Sequence, residues 1–410
     1  MKKITACLIL SINICAYTSC KTNRVQPSLS IEKTKTATVT VQKRKNFIFQ
    51  NGNVGFSNQF SSARLNDVKA LNDSTFSIMI LPENNPINPS PWYAFKLWSK
   101  TKRQVNVELL YQHVAHRYNP KFSVNGKEWS RIDDIVLNKD STKASFKVTL
   151  TANDTALIVA QELIDLPASY FWMDSIAKLP IIHKQVIGSS INNNPIVSLN
   201  TKGASGKEII VVLSRQHPPE ITGYRAMQYF VEKIFDNSPL SKKFLERFEM
   251  IIIPTINPDG VDQGHWRHNM AGVDLNRDWE EFKQPETMAV RNFIVKTLEN
   301  QQAKIYFAID FHSTWNDVFY TNTDDKRSNA PGFVNNWLKA LEQSIPGYQI
   351  NAKASGNGSN VSKGWFDRVF EAEAITYEVG DNTSREFLKT KATIAAEKMM
   401  ELLLLTKPVR

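Results

Sequence analysis

Two histidines and a glutamate stand where the chain could bring them to one point. His217 and Glu220 lie three apart in Arg215-Gln216-His217-Pro218-Pro219-Glu220, directly after the apolar run Glu208–Ser214. His312 follows a second apolar run, in Ala308-Ile309-Asp310-Phe311-His312-Ser313. An imidazole and a carboxylate leaving a strand end together can converge on one ion. Zinc accepts that mixture, with a third protein ligand and one position left open for water. His-x-x-Glu alone is a frequent chance spacing, and the placement of His312 at another strand end is what suggests a triad. Cysteine offers no rival chemistry: the only three are Cys7, Cys15 and Cys20. A disulfide framework, a cysteine zinc finger, an iron–sulfur centre and a cysteine nucleophile are therefore excluded beyond residue 20. Between the histidines run Asn257-Pro258-Asp259-Gly260, Trp266-Arg267 and Gly272-Val273-Asp274-Leu275-Asn276-Arg277-Asp278-Trp279. Adjacent Asn276 and Arg277 suit a planar carboxylate, which a guanidinium grips bidentately while the amide adds donors.

The elements that must hold these residues can be read from the apolar period. From about Ala168, strands and amphipathic helices alternate: strand Glu208–Ser214, helix Thr222–Phe235, strand Met250–Pro254, helix Glu286–Leu298, strand Lys304–Phe311, helix Phe333–Ser344, strand Ala374–Val379 and helix Arg385–Leu405. This predicts an α/β domain on a mixed, mostly parallel sheet with helices on both faces. Sites in such folds gather beyond the carboxyl ends of the strands, where every residue above falls. From Phe47 to about Leu166 the pattern is instead short alternating strands, among them Ser77–Leu81, Tyr93–Trp98, Gln104–Leu110 and Ser145–Leu150, separated by turns rich in Pro, Asn and Asp. An antiparallel β-sandwich is expected there. His113 and His116 would fall on opposite faces of a strand, which suits solvent or packing better than a metal pair. His265 and His268, either side of Trp266-Arg267, read as surface or pocket wall, and Lys363 as a solvated loop lysine.

At the start of the chain, Lys2 and Lys3 precede the apolar stretch Ile4–Ala16 and then Cys20. That is the length of a secretory signal, too short for a spanning helix. A signal peptide ending at a cysteine resembles a bacterial lipoprotein signal, which implies a signal peptide over residues 1–19 and a lipidated Cys20 at the head of a flexible tether, 20–45. Residues 46–167 would then be the sandwich and 168–410 the catalytic domain. The predicted location is the bacterial cell envelope, membrane-anchored through Cys20, with plain secretion as the alternative. The chain carries 50 Lys+Arg against 40 Asp+Glu, a formal charge of +10, which falls to +8 once Lys2 and Lys3 are removed. No recognition motif accompanies this excess, so nucleic acid is not the expected partner.

Taken in order, His217-Pro-Pro-Glu220, Asn257-Pro-Asp-Gly260, Trp266-Arg267, Gly272 to Trp279, Asp310-Phe-His312-Ser and Ile375-Thr-Tyr-Glu378 resemble the zinc metallocarboxypeptidase (funnelin) family. The longer wording around them, after a β-sandwich, is similar to its cytosolic-carboxypeptidase-like branch. The resemblance implies one Zn2+ held by His217, Glu220 and His312, with Asp274 orienting the first histidine. It implies Glu378 as general base, Arg267 at the oxyanion, and Asn276 with Arg277 on the substrate's terminal carboxylate. The substrate would be a peptide or protein C-terminus, here outside the cytosol. Cell-wall stem peptides are the alternative substrate, and a non-catalytic binding lipoprotein the alternative class. The sequence departs from the family at the substrate-covering tyrosine, whose position two residues before Ala354-Ser355-Gly356 holds Ala352.

Overall fold

Between Asn46 and Val159 side chains alternate between a dry and a wet face, the pattern of sheets covered on one side. The computed structural model describes residues 38–112, 114–201, 208–323, 327–355 and 360–407. Its first strands are β1 (Asn46–Phe49), β2 (Val54–Ser57), β3 (Asp67–Ala70), β4 (Thr75–Ile80), β5 (Ala94–Ser99), β6 (Arg103–Tyr111), β7 (Lys121–Ser123), β8 (Ser130–Arg131), β9 (Val136–Leu137), β10 (Lys143–Leu150) and β11 (Thr155–Val159). They form two sheets, in the orders β1-β2-β5-β11-β7-β8 and β3-β4-β6-β10-β9. In β6, Val105, Val107, Leu109 and Tyr111 are buried, and antiparallel β10 answers with Ala144, Phe146, Val148 and Leu150. One pairing differs from the antiparallel expectation: β4 and β6 are parallel. The chain passes through β5 in the other sheet between them, a crossover that lets β6 return in the direction of β4.

The stretch expected to be a tether is fastened at its end to the body. The Thr40 N–H donates to the Glu83 carbonyl (2.7 Å), the Gln42 side chain accepts from the Leu65 N–H (3.0 Å), and Arg44 pairs with Asp262 (3.1 Å). These are hydrogen bonds and an ion pair made by a polar run, so no apolar period announces them. Cys20 and the expected signal segment lie outside the described residues. No helix among the described residues is long and apolar enough to cross a membrane.

The second half opens with α1 (Leu166–Ile176), β12 (Ile182–Ser189), β13 (Pro195–Thr201) and β14 (Glu208–Ser214). Then come α2 (Ile221–Ile234), α3 (Pro239–Arg247), β15 (Phe248–Ile253), α4 (Pro258–Gln263) and α5 (Pro285–Gln301). The remainder is β16 (Lys304–Thr314), β17 (Val318–Thr321), α6 (Phe333–Ser344), β18 (Ala352–Ala354), α7 (Ser362–Phe370), β19 (Glu373–Gly380) and α8 (Arg385–Leu405). The sheet order is β12-β13-β15-β14-β16-β19-β17-β18. Its centre, β15-β14-β16-β19, is parallel, and antiparallel pairs flank it at β12-β13, β13-β15 and β19-β17.

All seven residues of β14 are buried, because helices cover both faces. Ile209, Val211 and Leu213 pack with Val290 and Ile294 of α5 and Trp365 of α7. Ile210 and Val212 face the other way, into a core shared with Met227 and Phe230 of α2 and Ala392 and Met399 of α8. That second core runs on through Trp266 and Trp92 to Phe56, Phe95 and Val107 of the sandwich. Each such fully buried side chain contributes roughly 1.5–3 kcal/mol by leaving water. Thr36–Arg410 is accordingly one compact unit. The two halves meet at Gly264, the left-handed cap of α4 (φ +64°), where a Cβ would lie 2.5 Å from the Ala63 carbonyl oxygen.

Candidate metal centre and active site

The connection from β14 to α2 folds the first two candidate ligands together. Arg215 adopts φ 58°, a left-handed conformation unusual outside glycine. Its buried guanidinium holds the turn by donating to the carbonyls of Pro218 (2.8 Å) and Ile164 (3.0 Å). Glu220 is then the N-cap of α2, yet its carboxylate makes no capping bond and faces the histidines instead. A helix N-terminus favours a negative charge there. His312 lies inside β16 rather than beyond its end, because the strand continues to Thr314. In the parallel ladder its direct neighbour on β19 is Glu378. The α2 helix rests against this strand at Gly223, whose N–H donates to Ser313 Oγ (2.8 Å) and where a Cβ would lie 2.3 Å from the His312 carbonyl oxygen.

The three candidate ligands converge. Glu220 Oε1 lies 2.9 Å from His217 Nδ1, Oε2 lies 2.8 Å from His312 Nδ1, and the two Nδ1 atoms are 3.2 Å apart. The outer nitrogens are also engaged: His217 Nε2 with Asp274 Oδ1 at 2.9 Å, and His312 Nε2 with Asp310 Oδ2 at 3.0 Å. With each Nε2 donating to its carboxylate, each Nδ1 could turn a lone pair toward a cation shared with Glu220. The same groups also attract one another as charges. Burial alone would raise the Glu220 pKa, but His217 and His312 hold it far below the carboxylate range. Burial would lower that of His312, but Asp310 and Glu220 outweigh it and push it well up. The donor set, two nitrogens and a carboxylate, fits zinc.

The remaining candidates line one cavity of about 630 Å³ beside the triad: Glu378, Arg267, Asn276 and Arg277, with His217 and Glu220 in its wall. Asp274 ties two of the parts together, since Oδ1 meets His217 while Oδ2 accepts from Arg267 Nε at 2.7 Å. Burial would raise its pKa, but His217, Arg267 and Arg277 hold it well below the usual range. Asn276 Oδ1 accepts from the Ser362 N–H (3.0 Å), and Arg277 Nη1 donates to the Asn276 carbonyl (2.7 Å), leaving an exposed guanidinium on the cavity wall. Burial, with the nearby charge of Glu220, pushes Glu378 up to about 7.

Several residues in and around the site escaped the sequence. Asp310 stands two before His312 in one strand, hence on the same face, and that spacing was the available signal. Lys363, expected in a solvated loop, is buried in the first turn of α7 and lines the cavity, with Nζ donating to Asn322 Oδ1 (2.7 Å) and the Ser355 carbonyl (3.1 Å). Arg117 and Ser90 come from the sandwich, and Trp315 and Tyr320 from the sheet edge. Tyr320 sits beside the position of the missing tyrosine, since β17 pairs with β18 at Phe319–Ala352 and Tyr320–Lys353. His265 and His268 join no ligand cluster among the described residues; both are buried at the junction, with His265 Nδ1 on the His268 carbonyl (2.9 Å) and His268 Nδ1 on Asn84 Oδ1 (2.7 Å). His116 packs inside the sandwich against Tyr111 (3.0 Å), while His113 and Gly356–Ser359 lie outside the described residues.

With a metal triad, a carboxylate beside it and arginines around it on this sheet, the class is a metallopeptidase fold. The profile of the zinc carboxypeptidase (peptidase M14) family matches residues 170–403, more than half of the chain. The chain belongs to the zinc carboxypeptidase family, and zinc is the metal its ligand group would hold. Human cytosolic carboxypeptidase 2 is 31% identical over 149 residues, which cover 35% of this chain and 16% of that protein. Cytosolic carboxypeptidase 6 of Caenorhabditis elegans is 23% identical over 292 residues, 64% of this chain and 62% of its own length. The chain thus spans less than two thirds of either relative. Among solved structures, a metallo-carboxypeptidase from Burkholderia cenocepacia has a TM-score of 0.69 at 17% identity, covering 86% of this chain and 98% of that one. One from Pseudomonas aeruginosa has a TM-score of 0.67, also at 17% identity, covering 85% and 98%. At that identity the likeness is one of fold.

Proposed function

We propose that the chain is a zinc-dependent carboxypeptidase that removes C-terminal residues from peptides or proteins. The observation that carries this is one cavity lined by His217 and Glu220 of the metal triad, the Glu378 carboxylate and the Asn276–Arg277 pair. Zinc held by His217, Glu220 and His312 would supply Lewis acidity, polarising the scissile carbonyl and lowering the pKa of water to about 7. Glu378, held up near 7 itself, is poised to take a proton from the attacking water and return it to the leaving amine. Arg267, aligned by Asp274, faces the charge that develops on the carbonyl oxygen; loss of such a donor commonly costs about 100- to 1000-fold in rate. Arg277 with Asn276 grips the terminal carboxylate, so that only the last peptide bond comes into register. Lys363 adds a cationic wall, which favours an acidic over a basic terminal side chain.

The test is a digest of peptides differing in their last residue by the zinc-loaded protein, with a chelated control and a Glu378→Gln variant. Wild type should release single C-terminal residues, acidic ends ahead of basic ones. Glu378→Gln should bind zinc as wild type does and lose turnover. A zinc-loaded wild type that releases no C-terminal residue from the whole panel would overturn the reading, and full activity in Glu378→Gln would remove Glu378 as the base.

A further inference from the structure

Glu83 belongs to the sandwich, in the loop between β4 and β5, and is fully buried. Its carboxylate accepts three consecutive backbone N–H groups from the catalytic half: Trp266 at 2.7 Å on Oε2, and Arg267 at 2.9 Å and His268 at 2.7 Å on Oε1. Its neighbour Asn84 continues the attachment, with Oδ1 against His268 Nδ1 at 2.7 Å and Nδ2 donating to the Gly272 carbonyl at 3.1 Å. Trp266 Nε1 donates to the Trp92 carbonyl at 3.1 Å. Burial would raise the Glu83 pKa, but His265, Arg64 and the amides of this segment bring it below the usual value, so the group stays ionised. Hydrogen bonds to an ionised acceptor are about twice as strong as neutral ones, which offsets part of the cost of burying the charge.

The segment so gripped has the cavity arginine at its centre. From the backbone of Arg267 the side chain runs to Asp274 (Nε to Oδ2, 2.7 Å), and Asp274 in turn meets His217. Glu83, Arg267, Asp274 and His217 thus form one unbroken series of contacts from the sandwich to the metal triad. We propose that Glu83 is a positioning residue for the reaction: it fixes the backbone from which Arg267 extends, and so sets where the guanidinium meets the developing oxyanion. The sandwich is then a part of the active site rather than an appended module. This rests on the role given to Arg267 above.

The experiment compares the zinc-loaded full chain with Glu83→Gln, Glu83→Asp, Arg267→Ala and the Glu83→Gln/Arg267→Ala double variant, measuring kcat, KM, zinc content and Tm. A displacement of the guanidinium by about 1 Å should lower kcat by roughly 10- to 100-fold in Glu83→Gln, with KM and zinc content close to wild type. Glu83→Asp keeps the charge and should recover part of the loss. In the Arg267→Ala background Glu83→Gln should cost less than about 2-fold, because its effect passes through the arginine. If Glu83→Gln does not fold, Glu83→Asp takes its place in the double variant and the same non-additivity is required. Equal losses with and without Arg267, or wild-type kcat in Glu83→Gln, would overturn the inference while leaving the carboxypeptidase reading intact. An inactive wild type would remove that reading and this inference with it.

Discussion

Each of the two metal-facing histidines has its outer nitrogen on a carboxylate, Asp274 for His217 and Asp310 for His312. Asp310 does more than meet the imidazole: Oδ2 also accepts from Gln216 Nε2 (2.5 Å) and Ser362 Oγ (2.5 Å), so three donors fix one oxygen. Gln216 is the residue before His217, and Ser362 donates its N–H to Asn276. Asp310 therefore links His312 to the turn bearing His217 and, through Ser362, to Asn276. Asp310→Asn keeps the volume but cannot accept as strongly from His312. Loss of such an outer partner typically weakens metal binding about 10- to 100-fold. Zinc affinity, measured by competition with a chelator, should fall by that order in a chain with an unchanged circular dichroism spectrum. Wild-type affinity would mean that packing alone orients His312.

The strand Glu208–Ser214 and the helix Arg385–Leu405 have the bounds that the sequence implied, because an unbroken apolar run and a long amphipathic repeat are local signals. The grouping of His217, Glu220 and His312 was legible for the same reason, each standing at or near the end of such a run, whereas Glu378 was pointed to only by the family resemblance. What escaped depends on distant partners. The sequence assigns nothing to Asp310, the full extent of β16 was hidden by its polar last residues, and Glu83 and Arg117 reach the second half of the chain only through the tertiary fold. Arg117 pairs with Asp381, three residues after Glu378, at 2.8 Å, a contact no spacing rule could suggest. The packing of α2 on β16 is of the same kind, and it can be tested at Gly223. Alanine there improves helix propensity by about 1 kcal/mol. Its Cβ, however, would stand 2.3 Å from the His312 carbonyl oxygen, against backbone that cannot swing aside. Overpacking of this sort costs typically 1–3 kcal/mol. Gly223→Ala should therefore lower Tm and loosen zinc by moving Glu220 on α2 away from His312 on β16. An unchanged Tm with full zinc content would show that helix and strand can part without disturbing the ligands.

Across the whole molecule, the core passes without a break from the sandwich to one face of the main sheet. The loop Gly264–Trp279 lies at the junction and carries Arg267, Asp274, Asn276 and Arg277. Its outer turn is held by Asn269, whose Oδ1 accepts from the N–H groups of Ala271 (3.0 Å) and Val273 (3.1 Å). Asn269 Nδ2 in turn donates to Glu286 Oε2 at 3.0 Å, from the first turn of α5. Glu286 is fully buried, and burial, with Asp259 nearby, raises its pKa to about 7. An unfolded glutamate titrates near 4.3. The folded chain thus binds this proton more tightly, and the resulting stability is fully present below about pH 4.3 and is lost as the pH rises through 7. At about 1.4 kcal/mol per pKa unit the loss approaches ~4 kcal/mol over the whole titration, of which about 2.5 kcal/mol falls between pH 5 and pH 8. Glu286→Gln keeps an acceptor for Asn269 and never ionises. Its unfolding free energy in urea, measured at pH 5 and pH 8 beside wild type, isolates this group from every other that titrates in the interval. The variant should gain on wild type as the pH rises, by up to that amount, and a difference that stays constant between the two pH values would mean that Glu286 ionises in the folded chain as it does in the unfolded one.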